Sequence, residues 1–156
     1  MNSSYLCRLF ALLPCLLLLP AVSVAQTGVF TLAPGSGVRG GSVSVDLTLS
    51  GGAQPSALQW TLTYATSDFT SVSVVAGSAA VSAGKSLTCN NVSGSSKCLL
   101  YGQNSTPLSD TAVATVTFTV ASAASSTPSI QLSGLSASIN GSLIPITSVV
   151  SGISIS

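Results

Sequence analysis

The stretch from Ala57 to Ala65 constrains the fold more than any other, because its side chains alternate strictly between apolar and polar. A period of two puts alternate side chains on opposite faces of an extended chain, so the pattern predicts a half-buried β-strand. The stretch holds the only tryptophan and one of the three tyrosines, whose burial removes a large apolar area from water. We therefore expect a central strand of a β-sandwich whose core side contains Leu58, Trp60, Leu62 and Tyr64.

Composition favours strands and excludes several classes of partner. The 156 residues include four basic and three acidic side chains, no histidine, and 46% hydrophobic residues. So few basic residues cannot neutralise the phosphates of a nucleic acid, and they give no electrostatic hold on an anionic membrane. The length fits one domain with a real core, and no shift in composition suggests a second. Disorder is disfavoured because the hydrophobic residues alternate.

Residues 1–25 have the pattern of a secretory signal peptide. Arg8 supplies the basic region, an apolar run extends from Leu9 to Leu19, and the small residues Ser23 and Ala25 match a cleavage site before Gln26. The run of roughly 11 residues is shorter than the roughly 20 needed to span a bilayer, which disfavours a retained anchor. We expect a secreted or cell-surface protein, with the periplasm as the alternative, without stable membrane insertion after cleavage.

After this cleavage the chain retains two cysteines, Cys89 and Cys98. An even number of cysteines in an exported protein predicts a disulfide, here at the base of a turn-rich loop between adjacent strands. Zinc is disfavoured because two thiols without histidine cannot complete a four-ligand site. Lys85 and Lys97, beside this loop, are expected to be solvated.

Alternating segments separated by turn-forming residues continue along the chain, as in a sandwich or barrel. They predict about nine strands in an all-β, antiparallel β-sandwich. Phe118 is expected in the core, residues 34–37 in a turn, and no convincing helix is predicted, although 79–81 could form a short helical or extended piece. The predicted strands include 29–32, 42–50, 70–76, 85–89, 97–102, 111–121, 129–133, 136–139 and 147–155.

The chain lacks the residues that common catalytic sites need. Without histidine neither a Ser-His-Asp nor a Cys-His arrangement can form. The only carboxylate side chains are Asp46, Asp68 and Asp110, which are scattered and are interpreted as strand and turn residues. We expect no enzymatic activity, no cofactor and no metal site. Beyond residue 25, three Asn-x-Ser/Thr sequences, at Asn91, Asn104 and Asn140, matter only if the host glycosylates them.

One group of residues could bind a ligand. The outward side of the central strand carries polar residues, and the disulfide-linked pair could add two larger side chains. Polar groups around a few apolar ones on a flat sheet suit a protein partner or a sugar chain. An ordinary solvated face is the alternative, and Tyr101 could instead belong to the core. The candidate binding residues are Gln59, Thr61, Thr63, Leu99 and Tyr101.

Four segments, in order, resemble cohesin domains. Residues 37–47 resemble the turn and alternating strand that open these domains, and Ala57–Tyr64 resembles their next strand, which ends in tyrosine. Residues 71–77 resemble the strand ending in glycine that follows, and 113–120 resemble a late core strand. The departures from the pattern are Ala65 after Tyr64, where aspartate is usual, and the cysteine pair.

This resemblance implies a nine-stranded jelly-roll sandwich, related in fold to some carbohydrate-binding modules and covering residues 26–156. It also implies a non-catalytic module that binds a dockerin-type protein, or a polysaccharide, in the assembly of polysaccharide-degrading enzymes. The face containing the central strand and the disulfide-linked pair would make the contact. The alternative function is a structural surface or matrix protein that self-associates through its sheet edges.

Overall fold

The computed structural model describes residues 26–156, so the predicted signal peptide lies outside the described residues. Two five-stranded sheets and one two-stranded sheet form a β-sandwich, and the only helix in this part of the chain is α1, Ser78–Ser82. The strands are β1 Gly28–Leu32, β2 Gly35–Gly37, β3 Ser42–Ser50, β4 Ala57–Tyr64, β5 Phe69–Ala76, β6 Ser86–Val92, β7 Ser95–Tyr101, β8 Ala112–Val120, β9 Ile130–Ile139, β10 Ser142–Ile144, β11 Ile146–Val150 and β12 Ile153–Ile155.

The first sheet has the strand order β11-β1-β3-β8-β5, and the second has β10-β9-β4-β7-β6. Most neighbours are antiparallel, but β1 pairs with β11, and β2 with β12, in parallel. The all-β sandwich and the central position of β4 are confirmed. The number of strands exceeds the expected nine because several short segments near the chain ends pair separately.

The core lies between the two large sheets and is built from the inward residues of the alternating strands. Trp60 on β4 is fully buried, and its ring centroid lies 5.3 Å from that of Phe30 on β1 in the opposite sheet. The ring centroid of Phe118 on β8 lies 4.5 Å from that of Phe69 and 6.0 Å from that of Tyr64. Leu62 is also fully buried. These contacts join the two layers, since aromatic side chains bury the largest areas.

Several boundaries differ from the sequence prediction for identifiable reasons. Residues 35–37 form β2 rather than a turn, because they pair with β12. The predicted strands 129–133 and 136–139 form one strand, β9, which continues through a register shift against β4 at Gly134, where φ is +56°. The predicted strand 147–155 is divided between β11 and β12, which belong to different sheets.

Candidate binding face

The five candidate binding residues lie together on the outer face of the second sheet. Gln59 on β4 is directly opposite Leu99 on β7, and Thr61 is opposite Lys97. The side chain of Leu99 is 42% exposed and that of Tyr101 is 44% exposed, so Tyr101 is not a core residue. Thr63 is exposed, whereas Gln59 and Thr61 are half-buried. The register thus produces a continuous outer surface from residues far apart in sequence.

This surface extends as rows onto the neighbouring strands, because opposed residues in a sheet project to the same side. On β6, Ser86 is opposite Tyr101 and Thr88 is opposite Leu99. On β9, Ser136 is opposite Gln59 and Gln131 is opposite Thr63. We call this surface the β4–β7 face; it comprises Gln59, Thr61, Thr63, Ser86, Thr88, Asn90, Ser95, Lys97, Leu99, Tyr101, Gln131 and Ser136.

The β4–β7 face is almost free of charge. Lys97 is the only charged residue in the five strands of the second sheet. The remaining polar groups are hydroxyls and amides, and Leu99 and Tyr101 add exposed apolar area on β7, between β4 and β6. Apolar area inside a polar rim is the usual composition of a protein-binding surface.

A disulfide between Cys89 and Cys98 links β6 to β7 on the inner side of this sheet. The cysteines are directly opposite each other, and the two strands continue past them to Val92 and Ser95. The segment between the cysteines is therefore mostly strand with a tight turn at 93–94, and the loop predicted between the two strands is shorter than expected. The crosslink holds edge strand β6 against the strand that carries Leu99 and Tyr101.

Lys85 is buried, at 7% exposed, so the prediction that it is solvated was wrong. Its Nζ donates to the backbone oxygen of Asn104 at 2.9 Å and to Oδ1 of the same residue at 2.7 Å. Asn104 Nδ2 in turn donates to the carbonyl of Ala83 at 3.2 Å. Burial lowers the pKa of Lys85, because a desolvated ammonium is disfavoured. No local pattern in the sequence indicates this contact, since the acceptor lies 19 residues further along.

Each of the three aspartates forms a structural hydrogen bond. Asp68 Oδ1 accepts from the backbone N–H of Ser125 at 2.8 Å, and Asp110 Oδ2 accepts from that of Gly52 at 2.8 Å. On the first sheet, Asp46 Oδ1 accepts from the hydroxyl of Thr115 at 2.7 Å. Asp68 and Asp110 therefore connect loops, as turn residues often do.

Between residues 26 and 156, no group of three or more cysteine, aspartate, glutamate or histidine side chains could hold a metal ion. Within the same range, no helix has the length and apolar character needed to cross a membrane.

The fold is a two-sheet β-sandwich that presents a nearly uncharged outer face, and comparison with known proteins identifies the family. A model described as "Cohesin domain" matches residues 29–155. The chain belongs to the cohesin family. Cohesin domains are non-catalytic protein-binding modules. No curated protein matches the sequence.

Solved structures of cohesins share the fold at low sequence identity. The sixth cohesin of Acetivibrio cellulolyticus scaffoldin B, solved with a Cel5 dockerin mutant, is 20% identical, with a TM-score of 0.73 over 84% of this chain and 100% of that one. A Clostridium thermocellum OlpA cohesin in complex with Doc918 is 13% identical, with a TM-score of 0.73 over 84% and 100%. A non-cellulosomal cohesin from Archaeoglobus fulgidus is 14% identical, with a TM-score of 0.70 over 83% and 91%.

Proposed function

We propose that this protein is an exported, non-catalytic module that binds a dockerin-type protein through the β4–β7 face. The observation that carries the proposal is the position of Leu99 and Tyr101. Their side chains are exposed, although β7 is an interior strand of the second sheet and not an edge strand. Export is supported by the signal-peptide pattern of residues 1–25 and by the Cys89–Cys98 disulfide. The structural use of all three aspartates supports the absence of catalysis.

The charge of the face narrows the kind of partner. With Lys97 as the only charge in these strands, the contact depends on apolar burial and on hydrogen bonds from amides and hydroxyls. Salt screens interactions between charges but not apolar burial. We therefore expect the affinity to change by less than about threefold between low and high salt. A complex held together by charged groups would instead weaken as the salt concentration rises.

The test uses the purified protein and a panel of dockerins, including the Cel5 dockerin and Doc918 that accompany the structural neighbours. Binding is measured by calorimetry for the unaltered protein, Leu99→Glu and Val75→Glu. A carboxylate desolvated at the centre of an interface should lower affinity by about 30-fold or more, that is, by about 2 kcal/mol.

Val75 is the matched control, because it is an exposed aliphatic residue, 56% accessible, on edge strand β5 of the other sheet. Val75→Glu should bind within about twofold of the unaltered protein. If Val75→Glu loses binding and Leu99→Glu does not, the partner contacts the first sheet, and the β4–β7 face is not the binding surface. Failure of every dockerin to bind would refute a dockerin-type partner.

A second candidate function is self-association through a sheet edge, and strand β5 favours it. This eight-residue edge strand contains no charged residue and no proline, the features that usually discourage pairing between exposed edges. Sedimentation velocity at increasing concentration would test it. A single monomeric species throughout would exclude this function, and Val75→Lys should dissociate any assembly that forms.

A further inference from the structure

A cleft of about 310 Å³ lies at one end of the second sheet, next to the β4–β7 face. One wall is the segment 102–105 after β7, and the other is formed by the start of β4 and the turn between β9 and β10. The nine residues that line it include no charged side chain. The volume is at the lower end of the range for small-molecule sites. The polar side chains in its walls are Ser56, Gln103, Asn104, Ser105, Ser138 and Asn140.

The first wall is held by the buried Lys85. Its ammonium binds both oxygens of Asn104, and Asn104 Nδ2 binds the carbonyls of Ala83 and Gly84. A Cβ on Gly102 would lie 3.0 Å from Lys85 Cδ, so glycine leaves room for the lysine beneath the wall. Burying a cation against neutral oxygens is unfavourable unless it is well hydrogen-bonded, and here it fixes a surface segment in place.

The second wall is also rigid. Asn140 has a φ of +49° and Gly141 a φ of +81°, which form the tight turn between β9 and β10. The hydroxyl of Ser56 donates to the carbonyl of Ser138 at 3.2 Å and accepts from the backbone N–H of Asn140 at 3.4 Å. The backbone of the turn is thereby attached to the start of β4.

The groups that remain available between these walls are neutral. The side chains of Gln103, Ser105 and Asn140 are exposed and take no part in the hydrogen bonds that fix the walls. Amides and hydroxyls offer both donors and acceptors, which matches the hydroxyl groups of a sugar. Tyr101, directly before Gly102, adds a half-exposed ring at the adjoining edge of the β4–β7 face. A site whose walls are already fixed loses little conformational entropy when it binds.

We propose that this cleft binds a neutral sugar residue, at the end or a branch of a polysaccharide, through Gln103, Ser105 and Asn140. The proposal does not depend on dockerin recognition, because the three residues that would bind the sugar lie outside the β4–β7 face. It assigns to the buried Lys85 the role of a positioning residue that holds one wall of the site.

The test is a titration of the purified, isotope-labelled protein, followed by backbone amide NMR shifts. The probes are cello-, xylo- and manno-oligosaccharides, with oligogalacturonides as the acidic comparison. At least one neutral oligosaccharide should shift the amides of 102–105 and 138–141. Gln103→Ala and Asn140→Gly should each weaken that binding by about tenfold, the effect of losing one hydrogen bond. Glycine at 140 accepts the positive φ, so the turn is retained.

Ser73→Ala, on the outer face of the first sheet, serves as the control and should bind the sugar unchanged. The proposal is overturned if no neutral oligosaccharide binds at about 10 mM, if only the acidic probe binds, or if Gln103→Ala and Asn140→Gly bind as tightly as the control. Dockerin binding is measured separately on the same variants. A failure of sugar binding therefore leaves the proposed dockerin binding intact. A failure of dockerin binding likewise leaves the proposed sugar site intact.

Discussion

The outer faces of the two large sheets have similar compositions but use their polar groups differently. Each sheet has one charged residue in its five strands, Asp46 in the first and Lys97 in the second. On the first sheet, the hydroxyls of Ser44 and Thr117 are 2.8 Å apart. Those of Ser71 and Thr119 are also 2.8 Å apart, and Asp46 accepts from Thr115. The polar groups of this face bond to each other across the strands.

The second sheet lacks this self-pairing on the β4–β7 face. Gln59 forms only a 3.5 Å contact from Nε2 to the carbonyl of Gly134. The exposed apolar side chains of Leu99 and Tyr101 lie on β7, an interior strand of this sheet. On the first sheet the strongly exposed valines, Val75 and Val149, lie on the edge strands β5 and β11. A face with unburied apolar area and available polar groups gains more from a partner than a self-bonded one.

The largest stability effect should come from the disulfide, which only the second sheet has among the described strands. Replacing Cys89 and Cys98 by alanine removes a crosslink that closes about ten residues of chain into a ring. The loss of this constraint on the unfolded chain should lower the free energy of unfolding by about 2 to 3 kcal/mol. Urea denaturation measures this loss. Amide exchange should show that β6 loses protection, whereas edge strand β5 of the first sheet keeps its own.

The same comparison can be made on the unaltered protein by reduction of the disulfide. Reduction should give the same loss of protection in β6 as the double alanine variant. Equal protection of β6 with and without the crosslink would show that the two edges are held alike, and would remove this difference between the sheets.

A smaller effect should distinguish the two hydroxyl surfaces. Thr117→Val removes the partner of Ser44 and should lower the free energy of unfolding by about 1 kcal/mol. Thr61→Val is the matched change on the β4–β7 face and should change it by less than about 0.5 kcal/mol. If urea denaturation shows that both variants lose the same free energy of unfolding, the hydrogen bonds between side chains on the first face do not distinguish it from the β4–β7 face.

The central part of the fold was predictable because its signal is local. Strand β3 occupies the predicted residues, and β4 ends one residue before the prediction, since strict alternation reports burial directly. Strand β2 was not predictable. Its Gly-Ser-Gly sequence has no such pattern, and its extended pairing depends on β12, more than a hundred residues later.

The candidate face was partly predictable for a related reason. Alternation placed Gln59, Thr61 and Thr63 on the outer side, but Leu99, Leu100 and Tyr101 are all apolar, so β7 alone does not show which side is outer. The pairing of Gln59 with Leu99 decides it. Lys85 and the cleft beside it depend on contacts between loops, and no periodicity in sequence encodes such contacts.

The smallest predicted effect contrasts the two lysines of the second sheet region, Lys97 on the face and Lys85 beneath a wall. Burial lowers the pKa of Lys85 in the folded protein, whereas the unfolded chain retains the usual value of 10.5. Between these two values the unfolded state binds more protons, so the free energy of unfolding should rise with pH as it approaches 10.5. Urea denaturation across alkaline pH should show this rise in the unaltered protein and in Lys97→Met, but not in Lys85→Met. A rise of equal slope in all three proteins would show that Lys85 is not its source, and would contradict the lowering of the Lys85 pKa by burial.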